Sequence, residues 1–433
     1  MRIVQLANLY SPVSGGLRTA VDALGRGYLE AGHERVLVIP GRSHSRHEAE
    51  TGTLITVPGP SVAPGYRLVL DPRPVLRVLG QLRPDVIEVS DKATLAVAAC
   101  WARRHGVRSV LLSHERLDAI LAHRLPRWAP LEGGADLWNR RLARAFDAIV
   151  VTSAFAAAEF HRVGAPSVHR VPLGVDLSVF RPAGTGRRPA IHLVHLGRLS
   201  AEKRPDLAIE TLRELRRRGL DARLDMIGDG DLADVLHRRS AGLPVTFHGH
   251  VRSRAAIAQL LGTADVALAT CPVESFGLAV LEALACGTPV AAACQGAAGE
   301  LLVPGAGLAV AVTPAGFADG VAEIVSWTAE HRRAAARRRA EKFPWSATVS
   351  GMLAVHSSSG ARAESGEAGV PSSSCEGSLL LPGWACMPWP SPCSPRSSRS
   401  GGGSWRVPRR ATPAAGDTPS SGRCSRSSSW SCG

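Results

Sequence analysis

The chain has 433 residues, a formal net charge of +14, and 45% hydrophobic but only 5% aromatic residues. That length asks for more than one domain and gives each enough apolar residues for a core, while no run of about 18 uncharged apolar residues is present to cross a membrane. The arginine-rich charge favours polyanions such as phosphorylated substrates or anionic headgroups, yet no nucleic-acid motif accompanies it, and the nine Cys show neither Cys-x-x-Cys nor metal-ligand spacing.

The opening stretch Arg2-Ile3-Val4-Gln5-Leu6 is too short before Ser11-Pro12 for a secretory signal. It reads as a strand over Ile3–Ala7, and the protein as cytoplasmic or peripheral on the inner face of the plasma membrane. Ser14-Gly15-Gly16-Leu17-Arg18 follows; a glycine pair after a strand admits a ligand, or simply turns tightly. Helical spacing runs from Arg18 to Ala31 and stops at Gly32, a C-cap residue. Apolar runs at Arg35–Val38, Asp85–Val89, Ser109–Leu112 and Ala148–Val151 complete a doubly wound parallel sheet over residues 1–178. Between them, Arg116–Arg144 mixes Leu, Trp128 and Trp138 with arginine in a broken helical pattern. Trp beside Arg suits a lipid headgroup interface, and a solvated basic face explains it equally well.

Pro and Gly around Arg181–Ala190 read as a linker, and residues 179–342 as a second α/β domain. Its strands, Ile191–Leu196, Arg223–Ile227, Val245–His248, Val266–Ala269 and Val290–Ala293, alternate with helices. The helices are read at Pro205–Arg218, Leu232–Ser240, Ala255–Leu261, Phe276–Ala285, Phe317–Val325 and His331–Lys342. Residues 343–356 read as a last helix that returns to the first domain. From Ser357 the composition changes: 357–433 holds 21 Ser, four of the nine Trp and five of the nine Cys. Ser, Arg, Gly, Pro, Trp and Cys together are what GC-rich codons yield in a wrong frame, so this tail reads as disordered or frameshifted. Cys100, Cys271, Cys286 and Cys294 lie in apolar segments and read as buried thiols.

Three post-strand segments carry chemistry. Glu274-Ser275-Phe276-Gly277-Leu278 leads into a helix bearing Glu282, so two carboxylates bracket a helix start whose free amides favour an anion. A sugar nucleotide offers both a diphosphate for the amides and hydroxyls for the carboxylates. Gly197-Arg198-Leu199 and Lys203 put two cations on one loop, where Arg can grip a phosphate in bidentate fashion and Lys acts as a point charge. Gly228-Asp229-Gly230-Asp231 contains an Asp-x-Asp pattern, which can hold a divalent metal.

Ser-Phe-Gly-Leu between the glutamates with Ala-x-Gly-Thr-Pro-Val behind resembles the donor-binding segment of family 4 retaining glycosyltransferases, and Gly-Arg-Leu-x-x-x-Lys-x-Pro resembles their diphosphate loop. Val171–Asp176 with Phe180-Arg181-Pro182 resembles the interdomain signature. The resemblance covers roughly residues 1–356 and implies the GT-B fold, two Rossmann-like domains facing across a cleft. It implies Arg198, Lys203, Glu274 and His114 at the reacting centre, with Glu282 on the ribose. It places Gly15, Gly16, Gly197, Gly228, Asp229, Gly249, Ser275, Phe276, Gly277 and Leu278 around the donor, and Arg18 and Asp118 toward the acceptor. Gly-Asp-Gly belongs to this family's own pattern, which uses no metal, so no metal and no cofactor are expected. Overall likeness to actinobacterial mannosyltransferases implies GDP-mannose rather than a UDP-sugar, a lipid-linked or glycan acceptor, and contact with an anionic membrane but not nucleic acid. A UDP-sugar transferase, an epimerase or phosphorylase of the same fold, and a defective remnant are the alternatives.

Overall fold

In the computed structural model, which describes residues 1–11, 14–63, 65–114, 116, 131–183 and 190–358, the apolar runs assemble two separate sheets. The first is built from β1 (Arg2–Leu6), α1 (Gly16–Glu30), β2 (Glu34–Gly41), β3 (Ser45–Ala49) and β4 (Gly52–Pro58). After a small antiparallel hairpin, β5 (Ser61–Ala63) and β6 (Tyr66–Arg67), come α2 (Arg73–Leu82), β7 (Val86–Val89), α3 (Ala98–Arg104) and β8 (Arg108–Ser113). Then α4 (Leu131–Ala145), β9 (Ala148–Val151), α5 (Ala154–Arg162) and β10 (Val168–Arg170) follow. The strand order is β10-β9-β8-β7-β1-β2-β4-β3, parallel except for the β3–β4 edge.

The second sheet takes β11 (Ile191–Leu196), α6 (Pro205–Arg217), β12 (Ala222–Ile227), α7 (Ala233–Arg239), β13 (Val245–Phe247) and α8 (Arg254–Thr263). It continues with β14 (Val266–Ala269), α9 (Leu278–Ala285), β15 (Val290–Ala293), β16 (Gly307–Val310), α10 (Pro314–Ser326) and α11 (Ala329–Ala340). The order β13-β12-β11-β14-β15-β16 is parallel throughout. Strands covered on both faces must be apolar along their whole length, and all four residues of both β9 and β15 are buried. Helix starts follow local chemistry: Ser153, Ser253, Thr313 and Thr328 each accept an N-terminal amide, and Pro205 and Pro314 occupy first turns. Gly32, at φ +79°, ends α1 as expected.

The final helix α12 (Trp345–Ser357) packs back on the first sheet, sharing Val349, Met352 and Val355 with a core of Ile3, Leu24 and Tyr28. Gly174 and Gly27 make room for it: a Cβ would stand 2.6 Å from Trp345 backbone at the former and 2.3 Å from Val349 Cγ2 at the latter. At its end His356 Nε2 lies 2.8 Å from Glu88 Oε1, inside a buried network in which Gln5 donates to Glu88 at 2.7 Å and Arg35 donates to Gln5 at 2.8 Å. Burial drives the Glu88 pKa up, but the contacts from His356, Tyr28 and Gln5 outweigh it and hold the carboxyl below its ordinary range.

Two sequence expectations need correction. The Glu-flanked helix begins at Leu278, not Phe276, because Gly277 takes a left-handed turn (φ +100°) before it. Cys294 is exposed, whereas Cys100, Cys271 and Cys286 are buried. Residues 45–82, for which the sequence pattern suggests no element, supply β3–β6 and α2. Among the described residues no helix is long and apolar enough to cross a membrane.

Candidate active site

Every segment singled out for chemistry lies beyond the carboxyl end of a parallel strand, where open α/β sheets bind ligands. α1 and α9 each begin after a glycine, Gly15 and Gly277, with no side-chain cap and no acid in the first turn. Their free amides therefore keep the positive end of the helix unneutralised. The two starts face each other: a Cβ on Gly16 would meet Leu278 Cδ1 at 3.5 Å. Gly16 thus lets the N-terminal half approach the start of α9 in the C-terminal half.

Beside these starts, the loop after β11 presents Arg198 and Lys203. Its backbone is locked to the loop after β12, with Gly197 N–H donating to Ile227 C=O at 3.0 Å and Leu199 N–H to Asp229 C=O at 2.9 Å. Gly228, at φ +139°, has no alternative here, since a Cβ would fall 1.9 Å from Gly197 O. Gly228 N–H donates to Gly249 C=O at 2.9 Å, which joins the loop after β13. Asp229 Oδ1 accepts the Gly230 N–H at 2.8 Å.

Lys203 Nζ donates to Glu274 Oε2 at 2.8 Å. Arg198 Nη2 donates to Tyr66 Oη at 2.7 Å, so a residue of the β5–β6 hairpin reaches the cationic loop from the opposite half. Glu282 is nearly buried and receives Arg254 Nη2 at 3.1 Å; burial raises its pKa to about 7 even with that partner. Arg254 also donates to Thr19 of α1 at 3.3 Å. Ser275 offers its backbone carbonyl to the hydroxyls of Thr152 (3.2 Å) and Ser153 (2.6 Å).

His114 follows β8, and its Nε2 is screened from water with no hydrogen-bond partner among the described residues. Burial lowers its pKa to about 4, so the imidazole is neutral and available to a hydroxyl. Phe276 is 5% exposed and its ring packs in the core of the second sheet. Arg18 pairs with Asp22 at 3.5 Å on α1. Asp118 lies outside the described residues.

Sequence reasoning missed Tyr66, Arg254 and His195. His195, at the end of β11, donates its Nδ1–H to Leu268 O at 3.0 Å, and its Nε2 lies 3.6 Å from where a Gly197 Cβ would be. Burial brings its pKa to about 4. Asp91, at the carboxyl end of β7, takes Asn8 Nδ2 at 2.9 Å and is raised by burial to about 6. None of these carries a motif; each is defined by a partner far away in sequence.

Residues 14–179 match the model for Glycosyltransferase Family 4, and residues 190–326 that for Glycosyl transferases group 1. A GDP-mannose-dependent alpha-(1-6)-phosphatidylinositol dimannoside mannosyltransferase of Mycobacterium tuberculosis is 46% identical over 366 residues, 82% of this chain and 96% of that protein. The GDP-mannose-dependent alpha-(1-6)-phosphatidylinositol monomannoside mannosyltransferase of Mycolicibacterium smegmatis is 28% identical over 335 residues, 69% of this chain and 82% of its own. Among solved structures, sucrose-phosphate synthase from Thermosynechococcus elongatus superposes with a TM-score of 0.67 at 18% identity, covering 82% of this chain and 98% of that one. Anabaena HepE in complex with UDP gives 0.64 at 18% identity, over 82% and 99%.

Proposed function

The chain belongs to glycosyltransferase family 4, and on that footing we propose that it moves a mannosyl group from GDP-mannose to a mannosylated phosphatidylinositol or similar glycolipid, with retention and without a metal. The observation that carries this reading is the convergence, at one cleft, of two uncapped helix starts with Arg198, Lys203 and Glu274. The choice of donor and acceptor is supported by the 46% identity to a mannosyltransferase covered over 96% of its length.

In this reading the diphosphate lies between the starts of α1 and α9, with Arg198 and Lys203 as its counter-charges. Glu274 accepts the hexose hydroxyls, Glu282 the ribose hydroxyls, and neutral His114 a hydroxyl near the anomeric carbon. The acceptor hydroxyl attacks from the face that the diphosphate leaves. The C–O bond to the leaving phosphate breaks, the new glycosidic C–O bond forms, and the acceptor proton passes to the departing phosphate oxygen. The protein's main contribution is to stabilise charge that builds on that oxygen. In this reading Glu274 is an anchor and not a nucleophile, its carboxylate shared between the hexose hydroxyls and Lys203. Contact with an anionic membrane is proposed from the acceptor class and the +14 net charge. The return helix α12 runs from Trp345 to Ser357 and packs Val349, Met352 and Val355 on the first sheet, which supports an active protein over the defective-remnant alternative.

The test is a panel of radiolabelled GDP-, UDP- and ADP-sugars with phosphatidylinositol mannosides as acceptors, in chelator. Lipid-extractable label from GDP-mannose alone is expected. Transfer only from UDP-sugars, acceptor-independent consumption of UDP-GlcNAc, or dependence on added phosphate would each overturn the proposal.

A further inference from the structure

The start of α5, in the N-terminal half, is held by two groups of the C-terminal half. Glu300, on the short turn Ala298–Leu301 after β15, places Oε2 on the Ala154 N–H and Oε1 on the Phe155 N–H, both at 2.8 Å. These are the first two amides of a helix, which no intrahelical carbonyl can satisfy and where the dipole favours a carboxylate. Next to them, Thr152 and Ser153 direct both hydroxyls at the Ser275 carbonyl. Ser153 Oγ simultaneously accepts the Ala156 N–H at 3.0 Å as the N-cap.

The two receiving groups are one mechanical piece. Ala297 N–H donates to Glu274 C=O at 2.7 Å, and Gly296 (φ +79°) lies so close beneath that a Cβ would stand 2.9 Å from Glu274 N. The turn bearing Glu300 and the loop bearing Glu274 and Ser275 therefore move together. The contact is polar, and Glu300 keeps an exposed side, so water can replace each bond when the halves part. Thr152 and Ser153 are 2% and 3% exposed with the contact in place.

We propose that Glu300, Thr152 and Ser153 form a closure latch: they dock the start of α5 onto the Glu274 loop and so position the donor-sugar anchor relative to His114 and the acceptor side. The positioning part of this rests on the reading of Glu274 as a donor contact; the docking part does not. These are positioning residues, acting through Glu274 rather than on the sugar.

Glu300→Gln and Thr152→Val test it in the full chain, each with its melting temperature, its GDP-mannose affinity by calorimetry, its kcat, and the small-angle scattering of the free protein. Loss of one or two such hydrogen bonds should lower kcat by about tenfold and leave donor affinity within about twofold, because Arg198, Lys203 and Glu282 are untouched. Free variants should scatter as a more open ensemble, and the double variant should lose less than the sum of the singles, since the separate bonds serve one docking surface. Unchanged kcat and scattering in both variants would overturn the latch, as would a kcat loss that simply follows a lowered melting temperature. If the native protein transfers from no nucleotide sugar, the donor reading fails, and the scattering of Glu300→Gln still decides whether the latch exists.

Discussion

Lys203 and Glu274 are joined by a 2.8 Å charge-assisted hydrogen bond between two separate post-strand loops of the same sheet. Burial works against the Lys203 charge, but the Glu274 carboxylate, with Cys271 and Glu202 nearby, raises its pKa well above the ordinary lysine range. Lys203 is therefore an ammonium at any working pH, already oriented before a diphosphate arrives.

Lys203→Ala should cut kcat/KM by about 10²–10³, the usual cost of losing one preorganised charge-stabilising group. Lys203→Arg should recover only part, because a planar fork does not replace a point charge at a site built for one. Circular dichroism and the melting curve should stay near native, as both partners keep water contact (side chains 31% and 24% exposed). Near-native turnover in Lys203→Ala would remove Lys203 from the site.

Glu282 should make stability fall with pH. Its folded pKa, about 7, lies above the ordinary glutamate value, so between pH 4.5 and 7 the folded state binds more protons than the unfolded one. Stability then decreases across that window and levels off above it, by at most about 3 kcal/mol. Glu282→Gln should flatten this slope in urea titrations at pH 5 and pH 8, while weakening donor binding most at the higher pH, where the native carboxylate is ionised. An identical slope in the variant would show that Glu282 does not titrate there.

His195 should do the opposite on the acid side. Its pKa is about 4, below the ordinary histidine value, so between pH 6.5 and 4 the unfolded state binds the extra proton and stability is lost as pH falls. For a residue 3% exposed the loss is of the order of 3 kcal/mol. His195→Gln should reduce the acid sensitivity of the melting temperature. His114, lowered in the same direction, should contribute no limb near pH 6.5 to the rate profile, because it stays neutral throughout. A His114-dependent limb at that pH would mean that it carries a proton in the reaction.

The motifs at Gly197–Lys203 and Glu274–Glu282 were legible because their function depends on local backbone, a strand end and a helix start. The strands were legible because sheets covered on both faces leave uniformly apolar runs. The edge strand β3, Ser-Arg-His-Glu-Ala, carries no such signal because four of its five residues are exposed. Tyr66, Arg254 and Glu300 were invisible because their partners, Arg198, Thr19 and the α5 amides, belong to the other half. The ring of Phe276 lies in the core of the second sheet, a placement that the motif alone does not reveal. The arginine excess was only partly a surface property: Arg332 is 6% exposed on Asp265 and three carbonyls, and Arg337 and Arg339 bind the carbonyls of Ala285 and Leu301.

Removal of residues 359–433 should leave activity intact, because every described contact of α12 is complete by Ser358, whose Oγ accepts Arg108 Nη2 at 2.8 Å. Removal of residues 345–433 should not. It would strip Val349, Met352 and Val355 from the core under the first sheet, at about 1.5–3 kcal/mol each. It would also leave Glu88 buried without His356. That total matches the whole stability of an ordinary domain, so the shorter protein should be insoluble or unfolded. Gly27→Ala separates packing from truncation. Its new methyl would meet Val349 Cγ2 at 2.3 Å, so α12 must shift, at about 1–3 kcal/mol of overpacking. The melting temperature of Gly27→Ala should fall, and its kcat should fall with the loosened return helix. An inactive 1–358 protein would assign the tail a part in catalysis; a native-like Gly27→Ala would show that α12 docks less tightly than its contacts require.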